Sequence, residues 1–435
     1  MKKYALIFFF LLLSQLAFSQ NVLSLFNKAN EFFTLFEEDK FDTAHKYFDE
    51  VEQTKVTPDN LKQLWARIKL NLGNVNALEV VQSKTQGNFF VVVVEGKFEK
   101  GDQNFSLVFN QSEKLVGLFL PPKAVTYNKP SYADTALYTE KTIDLKTGSH
   151  QLAAVVTVPK NVKNFPIVVL VHGSGPGDMD QTLGPNKPFK DIALGLASQG
   201  VATLRYVKRT LIYSGEFKNA FTVKEEVLDD AVAAVNLAKT IPDVDLSNVY
   251  LFGHSLGGML APRLANLATG LKGIVLAAAP ARKLTDIIVD QNNYLFGLAN
   301  DTTQKGKEMF QNVLLEVEQT RISKLGTLKP DSVILGLPAS YWSDLNLYDQ
   351  LSTAKKLKQR ILVVQGGKDF QVSETDYNLW NTTLAKKSNV TLKFYPDLNH
   401  LLSTQTEKGT NQQYQQAANV AEELINDLAA WIKLK

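Results

Sequence analysis

The chain has 435 residues, no cysteine, 47 lysines and arginines against 44 aspartates and glutamates, and a formal net charge of +3. That length exceeds one ordinary hydrophobic core, so two domains are expected. The near-balanced charge excludes a basic field for nucleic acid or anionic lipid, and the missing thiols exclude disulfides, thiolate metal sites, a lipid-modified cysteine and a cysteine nucleophile.

The start, MKKYALIFFFLLLSQLAFSQ, has a charged tip, an apolar run and then small residues. It reads as a signal peptide over residues 1–19, cleaved after Ser19. The protein is then exported to the periplasm or the exterior and keeps no stable membrane anchor. The competing reading is an uncleaved anchor. Against it, the run from Tyr4 to Phe18 is short beside the roughly 20 residues of a spanning helix.

From Asn21 to about Leu72, apolar residues recur at spacings of three and four, which predicts helices. Thr57-Pro58-Asp59 restarts one, with Pro58 in its first turn. The period then changes. NFFVVVVEGKFE, NFSLVFN and KLVGLFLPP are β-rich runs parted by turn residues, as in an antiparallel meander. Helices followed by a meander give a small α+β domain over residues 20–122. PPKAVTYNKPSYADT, with three prolines and little periodicity, reads as a linker over residues 123–139.

From about residue 140 strands alternate with helices. Strands are expected at 152–158, 167–172, 201–206, 249–253, 273–278, 361–365 and 391–395, with helical runs that include 221–239 and 374–386. Apolar strands alternating with helices predict an α/β domain with a mostly parallel sheet covered on both faces. Residues 279–358 carry helical pattern without a good strand, and read as a helical cap insertion.

The segment NVYLFGHSLGGMLAPRLAN reads as strand, sharp turn and helix. Its centre, Gly253-His254-Ser255-Leu256-Gly257, matches G-x-S-x-G. A serine at such a turn has a strained backbone. Side chains two residues to either side would collide, hence Gly253 and Gly257. The turn sets Oγ at a helix N-terminus, where developing negative charge is favoured. The alternative is a glycine-rich turn without chemistry.

A serine hydroxyl needs a base. Of five histidines, His45 falls on the polar side of a helix and His150 in a turn. His172 ends the strand before a glycine loop, and His254 should point away from Oγ. In the order serine, acid, histidine, only His400 lies beyond Ser255. Asp369, after the strand and glycines of RILVVQGGKD, is the expected acid. Asp397 is a rival, though close in sequence to His400; Asp344 and Asp349 lie in the insertion. An acyl-transfer site also needs an oxyanion hole. The N–H of Leu256 follows the nucleophile, and the N–H of Ser174 in IVVLVHGSGPGDMDQ is the expected second donor. A phosphate loop is excluded because Asp178 follows Gly177 where a P-loop would place lysine.

Together these residues resemble the α/β-hydrolase superfamily and, more narrowly, EstD-like bacterial carboxylesterases. The resemblance rests on HGSGPGDMDQTLGPNKPFKDIALGLASQGVATLRY, FGHSLGGMLAPRLA, ILVVQGGKDFQV and YPDLNHLL. It implies an eight-stranded sheet, a triad of Ser255, Asp369 and His400, and no cofactor. It further implies cleavage of small-molecule carboxylic esters with short to medium acyl chains through an acyl-enzyme. The small domain resembles DUF3887 domains and has an NTF2-like pattern. Tyr206-Val207-Lys208-Arg209 departs from the Tyr-Asp-Lys-Arg such enzymes often carry. An acidic brace for the oxyanion loop is therefore expected to be missing, with Arg209 near the pocket or structural. Tyr341 and Trp342, with Tyr294 and Phe296, are candidates to line an acyl pocket or else form the insertion's packing face. Amidase, peptidase, thioesterase and acyltransferase chemistry would use the same triad. The small domain is expected to bind a ligand or pair the chain as a homodimer. No H-E-x-x-H motif occurs, and no metal site is expected.

Overall fold

The structure, a computed structural model, describes residues 24–86, 89–121, 127–300 and 303–434. The expected leader at 1–19 and the linker residues 123–126 lie outside the described residues. The chain divides into two compact units, Met1–Ala124 and Val125–Lys435.

The smaller unit starts with helices over 24–37, Phe41–His45, Glu50–Gln53 and Pro58–Leu72. Pro58 sits in the first turn of the last helix, and Thr57 and Asn60 cap it reciprocally. Four strands follow: β1 (Val75–Gln86), β2 (Phe89–Phe98), β3 (Gly101–Phe109) and β4 (Leu115–Phe119). They form an antiparallel meander in sequence order. Its core is unusually aromatic, with Phe32, Phe33, Phe36, Phe41, Phe48, Trp65, Phe98 and Phe105 all buried. The strand pattern did not reveal β1, whose residues alternate weakly.

The larger unit is built on an eight-stranded sheet. Its strands are β5 (Tyr138–Thr147), β6 (His150–Pro159), β7 (Phe165–Val171), β8 (Ala202–Tyr206), β9 (Val244–His254) and β10 (Leu271–Ala277). After the insertion, which holds the two-residue strands β11 (Val333–Ile334) and β12 (Leu337–Pro338), come β13 (Arg360–Gly366) and β14 (Val390–Tyr395). The order across the sheet is β14-β13-β10-β9-β7-β8-β6-β5. Only β6 runs against the others, antiparallel to both of its neighbours, β5 and β8.

Alternate residues of the parallel strands feed two cores, as the pleat requires. Val169, Val171, Leu251 and Leu276 pack with helices Asp229–Ala238 and Leu256–Leu267 on one face. Val168, Leu170, Phe252 and Val364 pack with helices Pro188–Ser198 and Glu422–Lys433 on the other.

Each of the seven expected strand intervals holds a strand. The eighth, β5, is a polar edge strand, YTEKTIDLKT, with few apolar residues to give it away. It forms a hairpin with β6 through Gly148 at φ 58°. His150 therefore opens β6, paired opposite Thr147, rather than sitting in a turn. Residues that read as linker are docked: the Tyr127 hydroxyl donates to Asp191 at 2.8 Å and the Tyr132 hydroxyl to the Val420 carbonyl at 2.7 Å. Within the insertion, helix Gln350–Lys356 packs Ala354 into the main core, so it serves the sheet as well as the cap.

Candidate active site

Ser255 joins β9 to helix Leu256–Leu267 with φ 54° and ψ −120°, a conformation that a non-glycine residue holds only when its surroundings enforce it. The enforcement is visible. The Ser255 N–H donates to the Ala277 carbonyl of β10 at 2.9 Å. A Cβ on Gly253 would lie 2.2 Å from the Gly257 carbonyl oxygen, and one on Gly257 would lie 2.4 Å from the Val171 carbonyl oxygen. Both glycines are therefore obligatory for this turn.

His400 stands in the loop after β14, and Asp369 in the loop after β13. The two loops touch where Gly366 and Gly367 leave no room for a side chain: Cβ atoms there would meet the Leu398 and Pro396 carbonyls at 2.1 and 2.5 Å. Asp369 is buried and accepts the Gln371 and Val372 N–H groups through Oδ1 at 2.8 and 2.9 Å. Its Oδ2 lies 2.8 Å from His400 Nδ1. A carboxylate can only accept, so Nδ1 carries the proton and Nε2 is left as the basic nitrogen. Ser255 and His400 line one cavity of about 200 Å³. The rival acids are engaged elsewhere or exposed. Asp344 pairs with Arg263 at 3.0 Å, Asp349 caps the Ser352 N–H at 2.8 Å, and Asp397 faces solvent.

The loop after β7 lies against the serine. A Cβ on Gly173 would sit 3.6 Å from Ser255 Oγ. Side chains occupy the flanking amides of this loop. The Gly173 N–H donates to Gln181 Oε1 at 3.1 Å and the Gly175 N–H to Glu226 Oε1 at 2.9 Å. Between them the Ser174 N–H, like that of Leu256, has no partner among the described residues.

An acidic brace exists, contrary to expectation, and comes from another element. Lys208 Nζ donates to the Gly173 carbonyl at 2.9 Å and to Glu226 Oε1 at 2.6 Å. Glu226 lies in the π-helical turn Lys224–Leu228, and its Oε2 accepts the Tyr341 hydroxyl at 2.7 Å. Both charges are 3% exposed at the side chain, so the pair works without solvent screening.

A second chain of bonds ties this loop to the histidine loop. Gln181 Nε2 donates to His254 Nδ1 at 2.8 Å, and His254 Nε2 donates to the His400 carbonyl at 2.7 Å. That pattern requires neutral His254, and burial together with neighbouring His400 holds its pKa down to about 3. His172 is likewise depressed to about 3, by burial first and the Lys208 ammonium second. Its Nε2 donates to the Asp178 carbonyl at 2.7 Å.

Two residues read as pocket candidates are elsewhere. Arg209 is buried, forked onto Asp230 and bonded to Thr147 at 2.9 Å. It lines a separate cavity with Lys146, His150 and Arg263. Its ion pair needs a partner on helix Asp229–Ala238, which pulls it away from Ser255. Trp342 donates to the Ile334 carbonyl at 2.7 Å and packs inside the cap with Leu325 and Ala339. Tyr341 lines a cavity beside the Ser255 cavity. Tyr294 stacks on Phe370, and Phe296 on Phe310. Sequence reasoning missed Gln181, Lys208 and Glu226 as supports of the site. Gln181 stood within the glycine loop it serves, whereas nothing in KEEVLDD marks which carboxylate turns inward. Among the described residues, no group of three histidines or carboxylates is arranged to hold a metal.

A family model described as serine aminopeptidase, S33 matches residues 187–407, and one described as a protein of unknown function, DUF3887, matches residues 29–118. The chain is 35% identical over 397 residues to esterase EstD of Thermotoga maritima, spanning 91% of this chain and 92% of that protein. Among solved structures, Est1E from Butyrivibrio proteoclasticus is 17% identical with a TM-score of 0.45, covering 68% of this chain and 99% of its own. Acylaminoacyl peptidase from Pyrococcus horikoshii is 13% identical with a TM-score of 0.46, covering 82% and 56%.

Proposed function

The chain belongs to the serine aminopeptidase S33 family of α/β-hydrolases, and on that premise we propose that it hydrolyses carboxylic esters of short to medium acyl chain through an acyl-enzyme. Ser255 Oγ attacks the ester carbonyl while His400 Nε2 takes its proton. His400 then gives that proton to the departing alcohol. Asp369 holds the ring in its tautomer and stabilises the imidazolium. The N–H groups of Ser174 and Leu256 receive the oxyanion, each worth roughly 2.7–4 kcal/mol in the transition state. Water, activated by the same histidine, then attacks the acyl-enzyme, releases the acid and restores Ser255.

One observation carries the reading. Two unpartnered N–H groups flank the strained serine, while the amides of both neighbouring glycines are occupied by side chains. Ester rather than aminopeptide cleavage is supported by the 35% identity to a protein named an esterase.

Fluorophosphonate labelling with peptide mapping tests the assignment. A single adduct on Ser255 is expected. Ser255→Ala should lose both the adduct and turnover of p-nitrophenyl acetate, with an unchanged circular dichroism spectrum. An adduct on another residue, or undiminished turnover, would overturn it. Export belongs to the same proposal, and its mark is a mature N-terminus at Gln20.

A further inference from the structure

We propose that the cavity adjoining the Ser255 cavity is a subsite for an aryl group, carried by either the acid or the alcohol half of the ester. This rests on the esterase reading above and specifies its substrate class.

The two cavities share Ser174, Gly175 and Pro176, the loop that offers the oxyanion donor. A carbonyl held at the Ser174 N–H therefore has this second cavity at hand for one of its two substituents. The cavity measures about 290 Å³. A water takes up about 30 Å³ of its liquid, so roughly ten non-hydrogen atoms fit. That is a phenyl ring on a short tether.

Three aromatic rings stand in its walls and come from two unconnected segments, beside the Glu226 carboxylate that Lys208 neutralises. Phe217 and Phe221 follow β8, and Tyr341 belongs to helix Ala339–Leu347 of the insertion. Phe217 meets Phe221 edge-on at 5.0 Å and 81°, and Phe221 meets Tyr341 at 5.6 Å and 68°. Leu337 and Pro338 of β12 also line it. Such edge-to-face series continue readily onto one more ring, because each ring's positive edge seeks another's negative face. The Tyr341 hydroxyl is committed to Glu226, so its ring, not its polar tip, is what a guest can use. Tyr341 and Pro338 are buried, whereas Lys218, Asn219 and Asp331 at the cavity's rim are exposed. A long flexible acyl chain would have to leave across that polar rim; a compact aryl group would not.

The test compares ethyl acetate, ethyl 3-phenylpropanoate and 3-phenylpropyl acetate on the full chain. At least one phenyl ester should exceed ethyl acetate in kcat/KM by about tenfold or more. The half that carries the preference names the side of the ester that enters. Leu337→Trp, which fills the cavity, should cut that ratio by about tenfold. Phe217→Leu, at a half-exposed position that a fold tolerates more easily, should lower it in the same direction. If ethyl acetate is hydrolysed but neither phenyl ester is preferred, or the ratio is unmoved in both variants, the subsite is refuted and the esterase reading stands. If none of the three esters turns over and Ser255 takes no fluorophosphonate, both fall.

Discussion

Replacing Lys208 with methionine strands a carboxylate. Glu226 is 3% exposed, and its partners are Lys208 Nζ at 2.6 Å, the Gly175 N–H at 2.9 Å and the Tyr341 hydroxyl at 2.7 Å. Without the ammonium, two neutral donors must hold a buried charge. Removing one member of a buried pair costs about 3–5 kcal/mol, which for a unit of this size is on the order of 5–8 °C in Tm. Adding Glu226→Gln removes the orphaned charge, and an uncharged replacement of similar volume is close to neutral in stability. The double variant should therefore recover most of the lost Tm. It should not recover rate, because the Gly173 carbonyl still lacks the Lys208 bond of 2.9 Å. A bond to a charged group contributes about 1.5–3 kcal/mol. If all of that is lost from the placement of the Ser174 N–H, kcat falls about 10- to 150-fold. That lies at or below the loss expected from deleting an oxyanion donor outright. Thermal unfolding and p-nitrophenyl acetate kinetics on the wild type, the single and the double variant separate the two effects. A double variant with wild-type kcat would refute the positioning role and leave the network as packing alone.

Gly253→Ala should fail to reach the native state or be severely destabilised, because its Cβ meets the Gly257 carbonyl at 2.2 Å. Soluble Gly253→Ala protein with a wild-type melting profile and wild-type turnover would contradict the elbow geometry. Stability should also depend on pH. His172 and His254 titrate at about 3 when folded against 6.5 ordinarily. The unfolded chain thus binds more protons between those values, and stability falls as pH drops below 6.5, by at most about 1.4 kcal/mol per unit for each. Asp191, raised by burial to about 6 from 3.8, acts in the opposite sense within that narrower window and offsets one of them there. The net loss between pH 7.5 and pH 5 is on the order of 2 kcal/mol, readable from urea titrations, and equal stability at the two values would contradict it.

The sheet and the elbow could be read from the chain because their signals are local. A parallel strand such as FPIVVLV is buried on both faces and announces itself by composition. A strained turn announces itself by glycines that nothing else can replace. The position of His400 could be read by elimination, since no other histidine follows Ser255. What escaped notice depends on meetings between distant segments. β5 is polar because it lies at the sheet edge, and an edge strand needs no apolar run. Glu226 becomes the brace only because a π-helical turn brings it beneath the glycine loop, 51 residues from Gly175. The absent acid at Val207 suggested a missing support, whereas the fold draws the same charge from elsewhere. The aromatic residues of the insertion divide between the two readings: Tyr341 lines a cavity and Trp342 does not. Trp342 fills the cap's own core, and Phe221, the ring that meets Tyr341 in the cavity wall, comes from outside the insertion.

The backbone at Ser255 exists only as a joint product of three strands. Its N–H is fixed by Ala277 of β10, and Gly257 is seated beneath Val171 of β7. A nascent chain, or a fragment ending before β10, contains the serine but no elbow. It therefore lacks the raised hydroxyl and the amide beside it, and should be inert towards esters and fluorophosphonates alike. Reactivity at this one side chain then becomes a clock for folding. The moment at which Ser255 begins to label marks the moment at which the centre of the sheet has closed.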